Sequence, residues 1–527
     1  MIHLTGTGPL ARLVLRRDRV RLAVWVGAIA LLTYTQVAGL KGLYPDRQSL
    51  AEAGQLVQDN AAFIAMAGPP VALDTLGGRT AFEISAFGMV LAALMNLFLV
   101  TRHLRGDEEA GRAELLRSTV VGRHASITAV LATALLADAV LGGLLFAVLI
   151  GTGLPAGGSA ALAAGIAGVG LLFAGMAAVS SQVTEGTRAA SGIAGVALAV
   201  SFVLRAIGDV GDGRLSWLSP LGWGQALRPY GGERWWVLAL MAAALVALIW
   251  SAYRINSHRD LGAGIVPPRA GPARAEPGLL SPTGLAVRLH RGALAGWTLA
   301  LLLAGVAYGS ISGDVEDFVG DNETIADIMA QAGGDLVESF LSTTALVLAM
   351  IATAYSVQAT LRMRSEEQAG RAEPVLAGAL SRWRWAGSHL QVVVAGTLVV
   401  LAAAGLGTGV TYGLIDGDAG HVPRLLAASL VHAPAALVVV GVTVALYGFV
   451  PRFAVAGWAL VAALFVMGFF GDILSLPEWF LELSPFHHVP SLPAEDVAVL
   501  PLVLLSVLAA ALIGLGLAGL RRRDLQT

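Results

Sequence analysis

Long apolar runs separated by short polar stretches recur along the whole sequence. Apolar runs of about eighteen or more residues are long enough to cross a bilayer as helices. We place about twelve such spans at 22–40, 81–101, 126–151, 160–182, 189–206, 235–253, 293–311, 340–360, 386–411, 425–447, 453–471 and 497–519. The spans consist mostly of Ala, Leu, Val and Gly, and small residues allow helices to pack closely in lipid. The pattern predicts an all-α polytopic membrane protein.

The composition supports this fold class. Of the 527 residues, 56% are hydrophobic and 13% are charged, whereas an ordinary soluble domain has roughly a quarter charged residues. The net charge of −2 predicts no electrostatic attraction to nucleic acid. The chain contains no cysteine, which excludes disulfides, thiol catalysis and cysteine–metal sites. The lipid bilayer is therefore the first partner that the sequence predicts.

The distribution of basic residues predicts the orientation. Arginine and lysine concentrate in the cytoplasmic loops of membrane proteins. With a cytoplasmic amino terminus, most of the 34 basic residues of the chain fall inside. We therefore predict a multi-pass protein of the inner (plasma) membrane with both termini in the cytoplasm. The acidic stretch from Asp314 to Glu338 contains no basic residue, and we interpret it as a solvated outer loop.

Two segments match each other without a gap. Thr101–Arg123 and Thr360–Arg382 each follow the second span of their half, and both contain Glu, a small gap and Ala-Gly-Arg-Ala-Glu. Six spans separate the copies, so both halves have the same orientation, as in a parallel repeat. Other landmarks recur in the same order: Arg16, Arg19 and Trp25 with Arg288, Arg291 and Trp297; Leu218-Ser219-Pro220 with Leu483-Ser484-Pro485; and Arg259-Asp260-Leu261 with Arg523-Asp524-Leu525.

The repeat predicts the domain organisation. We expect two parallel six-helix repeats, a first transmembrane half at 1–253 and a second at 286–527. Residues 254–285 between them are rich in Pro, Gly, Ala and Arg, which is typical of a flexible connection. We interpret this stretch as a cytoplasmic linker.

The repeated segment is the first candidate for function. Asp107–Arg117 can form a short helix with acids in its first turn, where the helix dipole favours them. A charged helix with a glycine notch suits docking into another protein, and the alternative is a solvated loop with internal ion pairs. Two copies at equivalent positions favour docking. The predicted docking residues are Glu108, Glu109, Gly111, Arg112 and Glu114 in the first copy, and Glu367, Gly370, Arg371 and Glu373 in the second.

The motif Glu-x-x-Gly-x-x-Glu-Leu-Leu (Glu108 to Leu116) resembles the coupling helix of ATP-binding-cassette (ABC) export permeases of the second type. Arg12 to Arg21 resemble the elbow helix of that family. The stretches Asp209–Trp236 and Asp472–Val497 resemble its external re-entrant hairpin. Two halves fused in one chain are most similar to actinobacterial exporters of polyketide antibiotics such as tetronasin. The second copy departs from the motif, because Pro374 replaces the first leucine and would end or kink the helix.

The chain holds no energy source of its own. A phosphate loop requires Gly-x-x-x-x-Gly-Lys-Ser/Thr, and the single lysine, Lys41, lies in a predicted outer loop. The resemblance implies two copies of a nucleotide-binding ATPase subunit, which would bind ATP and Mg, so we expect neither a cofactor nor enzyme activity in this chain. It also implies export of hydrophobic or amphipathic compounds, antibiotic or lipid-like, through a cavity between the halves. Candidate lining residues are Phe87, Met89, Asn96, Phe202, Met350, Tyr355 and Phe465.

Three other classes of function remain to be compared. An ion-coupled secondary transporter can also have twelve spans in two parallel halves. It would need ionisable residues within the membrane, and Asp138 and His432 are the clearest, although a structural role inside the helix bundle explains each of them better than a proton relay does. A metalloenzyme is weakly indicated, because His487-His488 lacks a Glu-x-x-His context. No filter-like ring indicates a channel. The residues leave the substrate and the role of Asp138 open.

Overall fold

The computed structural model describes residues 2–44, 46–58, 61–260, 262–266, 271, 273–320, 336–470, 477–495 and 497–523. Within these ranges the chain forms helices and turns without strands, which confirms the predicted all-α class. Eleven helices of the described part are long and apolar enough to cross a membrane. A shorter apolar helix, Ala456–Phe470, lies at the position of the predicted eleventh span. Every predicted span therefore coincides with an apolar helix.

The chain divides into two compact units, residues 1–271 and 272–527. The helices of unit 1 are α1 (Thr7–Leu43), α2 (Arg47–Gln58), α3 (Ala61–Ala67), α4 (Leu76–Thr101), α5 (Asp107–Glu109), α6 (Arg112–Arg117), α7 (Ala125–Gly151), α8 (Ala156–Val183), α9 (Thr187–Val210), α10 (Pro220–Ala226) and α11 (Trp236–Asn256). Those of unit 2 are α12 (Pro282–Gly320), α13 (Leu336–Gln368), α14 (Ala372–Leu376), α15 (Arg382–Asp416), α16 (His421–Leu430), α17 (Ala433–Phe449), α18 (Ala456–Phe470), α19 (Glu478–Leu481) and α20 (Val499–Arg522).

The second and fourth spans form the centre of unit 1. Most residues of α4 and α8 are buried inside the unit, whereas α11 is largely exposed and faces outward. Small residues make the close packing possible: Gly224 of the short helix α10 abuts Met89 of α4, and a Cβ at Gly224 would lie 2.5 Å from the methyl group of Met89. Helix α10 thus packs into the core of unit 1.

Unit 2 uses the same kind of packing. A Cβ at Gly448 of α17 would lie 2.0 Å from the carbonyl oxygen of Gly516 in α20, so the two backbones touch. The tenth span is interrupted between α16 and α17, directly before Pro434. Proline removes one backbone hydrogen bond and clashes with the preceding turn, which explains the break. Helix α18 in this unit reaches Phe470, and residues 471–476 lie outside the described part.

Two segments differ from the sequence interpretation. Arg12 to Arg21, which resemble the elbow helix of the family, are continuous with the first span, because α1 runs from Thr7 to Leu43 without a break. No proline or glycine pair interrupts this stretch after Pro9, so the helix continues.

The predicted linker also begins differently. Helix α11 continues to Asn256, and the following residues turn back onto unit 1, where the N–H of Val266 donates to the carbonyl of Val183 at 3.0 Å. The first part of the stretch 254–285 therefore belongs to unit 1, and α12 begins at Pro282. Polar contacts of Arg259, described below, account for this return.

Candidate functional site

The repeated segment of unit 1 continues directly from span two. A π-helical stretch, Arg102–Gly106, joins α4 to α5, and a turn at Gly111 separates α5 from α6. Gly111 has φ 68°, in the left-handed region that glycine adopts readily. Its N–H donates to the carbonyl of Glu108 at 3.0 Å. The prediction of one helix over Asp107–Arg117 was therefore wrong, because the glycine breaks it into two short helices.

Glu108 points into unit 1 rather than outward. Its two carboxylate oxygens accept hydrogen bonds from Arg259 at 2.6 Å and from Arg105 at 2.6 Å. Arg105 is fully buried and also donates to the carbonyl oxygens of Ser181 at 2.6 Å and Ala263 at 2.8 Å. The segment is thereby fixed to the residues that follow the last span of the unit.

A second group of charges holds the start of the segment. Asp107 accepts hydrogen bonds from Arg17 of α1 at 3.0 Å and from Arg112 at 2.8 Å. The Nε2 atom of His103 lies 2.8 Å from the carboxylate of Asp18, which is buried in α1. These contacts tie α1, the π-helical stretch and α6 together. Arg112 is consequently engaged within the unit and only half of its side chain faces solvent.

The outward face of the segment consists of α6 and the turn after it. The carboxylate of Glu114 is exposed and makes no hydrogen bond or ion pair with a described residue. Leu115 beside it is 73% exposed and Val120 is 86% exposed. Glu109 is also exposed, and it accepts a hydrogen bond from Thr187. Two apolar side chains and a carboxylate at one surface fit contact with a protein better than contact with water alone.

The repeated segment of unit 2 has the same local geometry. Helix α13 runs through to Gln368, and Gly370 has φ 67° with its N–H donating to the carbonyl of Glu367 at 2.9 Å. Glu366 pairs with Arg371 at 2.7 Å, as Asp107 does with Arg112. The hydrogen bond to Glu366 raises the pKa of the Arg371 guanidinium.

Glu367 is buried, and its side chain is even less exposed than that of Glu108. Arg523 donates to both of its oxygens at 2.7 and 2.6 Å, and the hydroxyl of Tyr447 donates at 2.6 Å. Arg523 follows the last span of unit 2, just as Arg259 follows the last span of unit 1. We name the pairs Glu108–Arg259 and Glu367–Arg523 the buried pairs. Each pair joins the repeated segment to the Arg-Asp-Leu sequence after the last span, two features that the sequence analysis had matched separately. Only the fact that both features recur in the two halves could have indicated this contact.

Pro374 has little effect on the second copy. Glu373 and Pro374 lie in the first turn of α14, which spans Ala372–Leu376. The first N–H groups of a helix have no partner within it, so a proline is tolerated there. The prediction that Pro374 ends or kinks this helix was wrong. Both Glu373 and Pro374 are exposed, and they occupy the outward face that Glu114 and Leu115 occupy in unit 1.

The candidate substrate residues lie in different environments. Met89, Asn96, Met350 and Tyr355 are buried against neighbouring helices, Phe87 is half exposed, and Phe202 and Phe465 are partly buried. Phe202 lies under the guanidinium of Arg205, 4.5 Å from its ring centre. Within each unit these side chains contribute to helix packing, and a role in substrate binding stays a prediction.

Asn96 and Asp138, which the sequence analysis treated separately, are partners in the structure. The side-chain nitrogen of Asn96 donates to Asp138 at 3.1 Å, and both side chains are fully buried. Gly170 of α8 lies against the pair, because a Cβ there would approach Asp138 to 2.4 Å. Spans two, three and four of unit 1 therefore meet at one carboxyl group. The acidic loop Asp314–Glu338 is mostly outside the described residues.

Comparison with known proteins identifies the family. The chain is 40% identical over 526 residues to multidrug efflux system permease protein Rv1217c of Mycobacterium tuberculosis (strain ATCC 25618 / H37Rv), and the match covers 99% of this chain and 96% of the relative. The chain belongs to this family of multidrug efflux permeases. The family model for the C-terminal domain of multidrug efflux system permease Rv1217c matches residues 279–521, which lie within unit 2. As an efflux permease, the chain is a multi-pass membrane transport component, and the predicted exporter class is confirmed at this level.

Proposed function

We propose that this efflux permease is the membrane subunit of an ABC exporter that moves hydrophobic or amphipathic compounds outward. Two copies of a separate ATPase subunit would supply the energy and bind ATP and Mg. Each repeated segment would dock one ATPase. In this proposal both termini are cytoplasmic and the protein lies in the inner membrane.

The observation that carries the proposal is the construction of the two repeated segments. A segment that transmits force must be rigid where it joins the transporter and exposed where it meets its partner. Both copies meet these conditions: Glu108 and Glu367 are buried in ion pairs, while Glu114 and Glu373 are exposed. The two copies have the same left-handed glycine between these parts. A solvated loop would have no need for either feature.

The construction also supports a route for coupling. Each buried pair connects the segment after span two with the residues after the last span of the same unit. Movement of an ATPase against α6 would therefore pull on the ends of two spans together. Packed elements of this kind shift between discrete arrangements instead of bending continuously, which is what alternating access requires.

The proposal is tested by isolating the permease together with its ATPase. We expect Glu114→Arg and Gly111→Trp to reduce co-purification of the ATPase and efflux of a hydrophobic substrate, while membrane insertion stays intact. Glu276→Arg, at an exposed position of the predicted linker, is the matched charge-reversal control. Normal complexes and normal efflux in both segment variants would refute the docking role. Glu373→Arg tests the second copy, and we expect a similar effect because Glu373 is exposed in the same way.

The orientation has its own test, and the absence of cysteine simplifies it. A single cysteine at Ser118, beside α6, should be shielded from an impermeant external thiol reagent in intact cells. A cysteine at Ser491 should react. Both positions are exposed on the protein, so a difference in labelling reports the side of the membrane. Labelling of Ser118→Cys from outside would contradict the proposed topology.

One observation favours a second candidate, the ion-coupled secondary transporter. Asp138 is fully buried within a span, and a carboxylate at the centre of a membrane costs about 2.5–3.5 kcal/mol on insertion scales. Transport by the purified chain alone, driven by a proton gradient and abolished by Asp138→Asn, would establish this candidate. For the ABC exporter we expect no transport without the ATPase.

A further inference from the structure

The turn between the third and fourth spans of unit 2 brings together three side chains that can bind a metal ion. Asp416 is the last residue of α15, Asp418 lies in the turn, and His421 is the first residue of α16. One carboxylate oxygen of each aspartate and one ring nitrogen of His421 lie within 4.8 Å of one another. Neither the repeated segments nor the candidate substrate residues contribute to this group.

Two of the three side chains are held in place by packing. Tyr412 and Asp416 lie four residues apart on α15 and therefore on the same face of the helix. The ring of Tyr412 packs against the ring of His421 with centroids 4.6 Å apart, and Nε2 of His421 contacts the carboxylate of Asp416. The side chain of His421 is only 15% exposed and that of Asp416 is 30% exposed. The imidazole and one carboxylate are thus fixed at the ends of two helices.

The turn concentrates negative charge. The carboxyl end of a helix carries the negative end of its dipole and favours cations, yet Asp416 ends a helix of 35 residues and Asp418 follows it. Neither carboxylate forms an ion pair with a lysine or arginine in the described part of the chain. Arg424, the nearest arginine in the sequence, donates instead to Glu338 and to the carbonyl of Pro493 at 3.4 Å. A bound cation would balance this charge.

The corresponding turn of unit 1 has a cation of its own. Helix α7 ends at Gly151, and Nζ of Lys41 donates to the carbonyl of Thr152 directly after it. Residues 152–155 of that turn include no acid and no histidine. Both turns join the third and fourth spans of their unit. Unit 1 therefore places an ammonium group at the helix end where unit 2 places two carboxylates and an imidazole, and this comparison independently indicates a cation at the turn of unit 2.

We propose that Asp416, Asp418 and His421 bind one Zn²⁺ ion. Zinc binds imidazole nitrogen and carboxylate oxygen at about 2.0–2.2 Å, and three protein ligands leave a fourth position for water. Calcium takes about six to eight oxygen ligands and magnesium requires octahedral oxygen coordination, so the imidazole selects against both. The ion links the end of α15 to the beginning of α16. In the orientation proposed above, the turn lies at the outer surface and takes up zinc from outside the cell.

The test measures zinc binding by the purified full-length chain in competition with a fluorescent zinc indicator. The chain has no cysteine, so no thiolate contributes to the signal. No ATPase and no transport assay are involved, and the result is therefore independent of the proposed ABC function. We expect Asp418→Asn and His421→Ala each to weaken binding by at least about tenfold, because even changes around the ligands of a metal typically cost 10–100-fold. Asp418→Asn keeps a side-chain oxygen for the N–H of Gly420, which donates to Asp418 at 2.8 Å, so the turn should stay folded.

Thermal unfolding and two controls complete the test. Zinc should raise the unfolding temperature of the parent, because a ligand of the folded state stabilises it, and should raise that of Asp418→Asn less. His487→Ala removes an exposed histidine outside the turn and should bind zinc like the parent. Excess Ca²⁺ or Mg²⁺ should not displace the zinc. Equal affinities in the parent, Asp418→Asn and His421→Ala, loss of binding in His487→Ala, or displacement by equimolar Ca²⁺ would show that the turn attracts counter-ions only and would overturn the proposal.

Discussion

Unit 1 buries a carboxyl group at a place where unit 2 buries hydroxyl groups. Extending the gapless match of the repeated segments, Asp138 corresponds to Thr397 and Asn96 to Tyr355. Asp138 accepts from Asn96 at 3.1 Å, whereas Thr397 shares a hydrogen bond of 2.8 Å with Ser356. Both pairs link spans two and three of their unit. Unit 2 makes this link with two neutral side chains. The link alone therefore does not explain why unit 1 has an ionisable group there.

The repeated segments show the opposite behaviour. The buried pairs, the left-handed glycines and the acid–arginine contacts at Asp107 and Glu366 recur with distances that agree within a few tenths of an ångström. The two units therefore hold their segments in one geometry while the cores behind them differ. We infer that the function common to both units lies at the segments. Asp138 is a candidate for a function that only unit 1 has.

We expect the largest loss of stability when a buried pair is broken. Arg523→Gln removes a guanidinium that donates to both oxygens of Glu367. Loss of one member of a buried ion pair typically costs about 3–5 kcal/mol. Arg259→Gln should cost less, about 1.5–3 kcal/mol, because Arg105 remains 2.6 Å from Glu108. Thermal unfolding of the purified variants in one detergent measures the difference.

A double variant tests whether the loss of stability comes from removing only one charge of the pair. Replacing both partners, as Glu367→Gln with Arg523→Gln, removes both charges of the pair together and should recover much of the lost stability. If Arg259→Gln proves as damaging as Arg523→Gln, the support of Glu108 by Arg105 does not distinguish the units.

The second prediction concerns the cores. Asp138→Leu removes the carboxylate that accepts from Asn96, which then keeps only its hydrogen bond to the carbonyl of Ala92, and should lower the free energy of unfolding by about 1–3 kcal/mol. Thr397→Val removes a neutral hydrogen bond to Ser356 and should cost about 0.5–1.5 kcal/mol. The near-isosteric Asp138→Asn keeps a polar partner for Asn96 and is the control. Unfolding measurements in which Asp138→Asn is as harmful as Asp138→Leu would show that the ionised carboxylate itself stabilises unit 1.

The sequence predicted the spans because membrane helices are long and uniformly apolar. The apolar run 386–411, for example, needs no neighbour to be recognised, and α15 covers it. The repeated segments were recognised for a similar reason: glycine, arginine and glutamate at fixed spacing survive in both copies.

The sequence did not predict which charged side chains of the segments are buried and which are exposed. Glu108 and Glu114 are both acidic and lie six residues apart, yet one is buried in an ion pair and the other is exposed. Their difference depends on the turn at Gly111, which separates α5 from α6, and on Arg259, which lies far away in the sequence. Contacts between distant residues of this kind do not follow from local spacing. The pairing of Asn96 with Asp138 was not predicted from the sequence for the same reason.

The smallest expected effect tests whether the two turns are equivalent. Gly111→Ala and Gly370→Ala each place a Cβ at φ near 68°, which costs about 1–2 kcal/mol for a residue other than glycine. Neither position has a heavy atom within 4 Å of the added Cβ, so backbone strain should act alone and the two losses of stability should be equal. Gly143→Ala in the middle of α7, also without a neighbour, should instead stabilise the helix by about 0.5–1 kcal/mol. Chemical or thermal unfolding of the three variants provides the comparison. A clear inequality between Gly111→Ala and Gly370→Ala would mean that the segments share their contacts but not their rigidity, and would restrict the common role to the buried pairs.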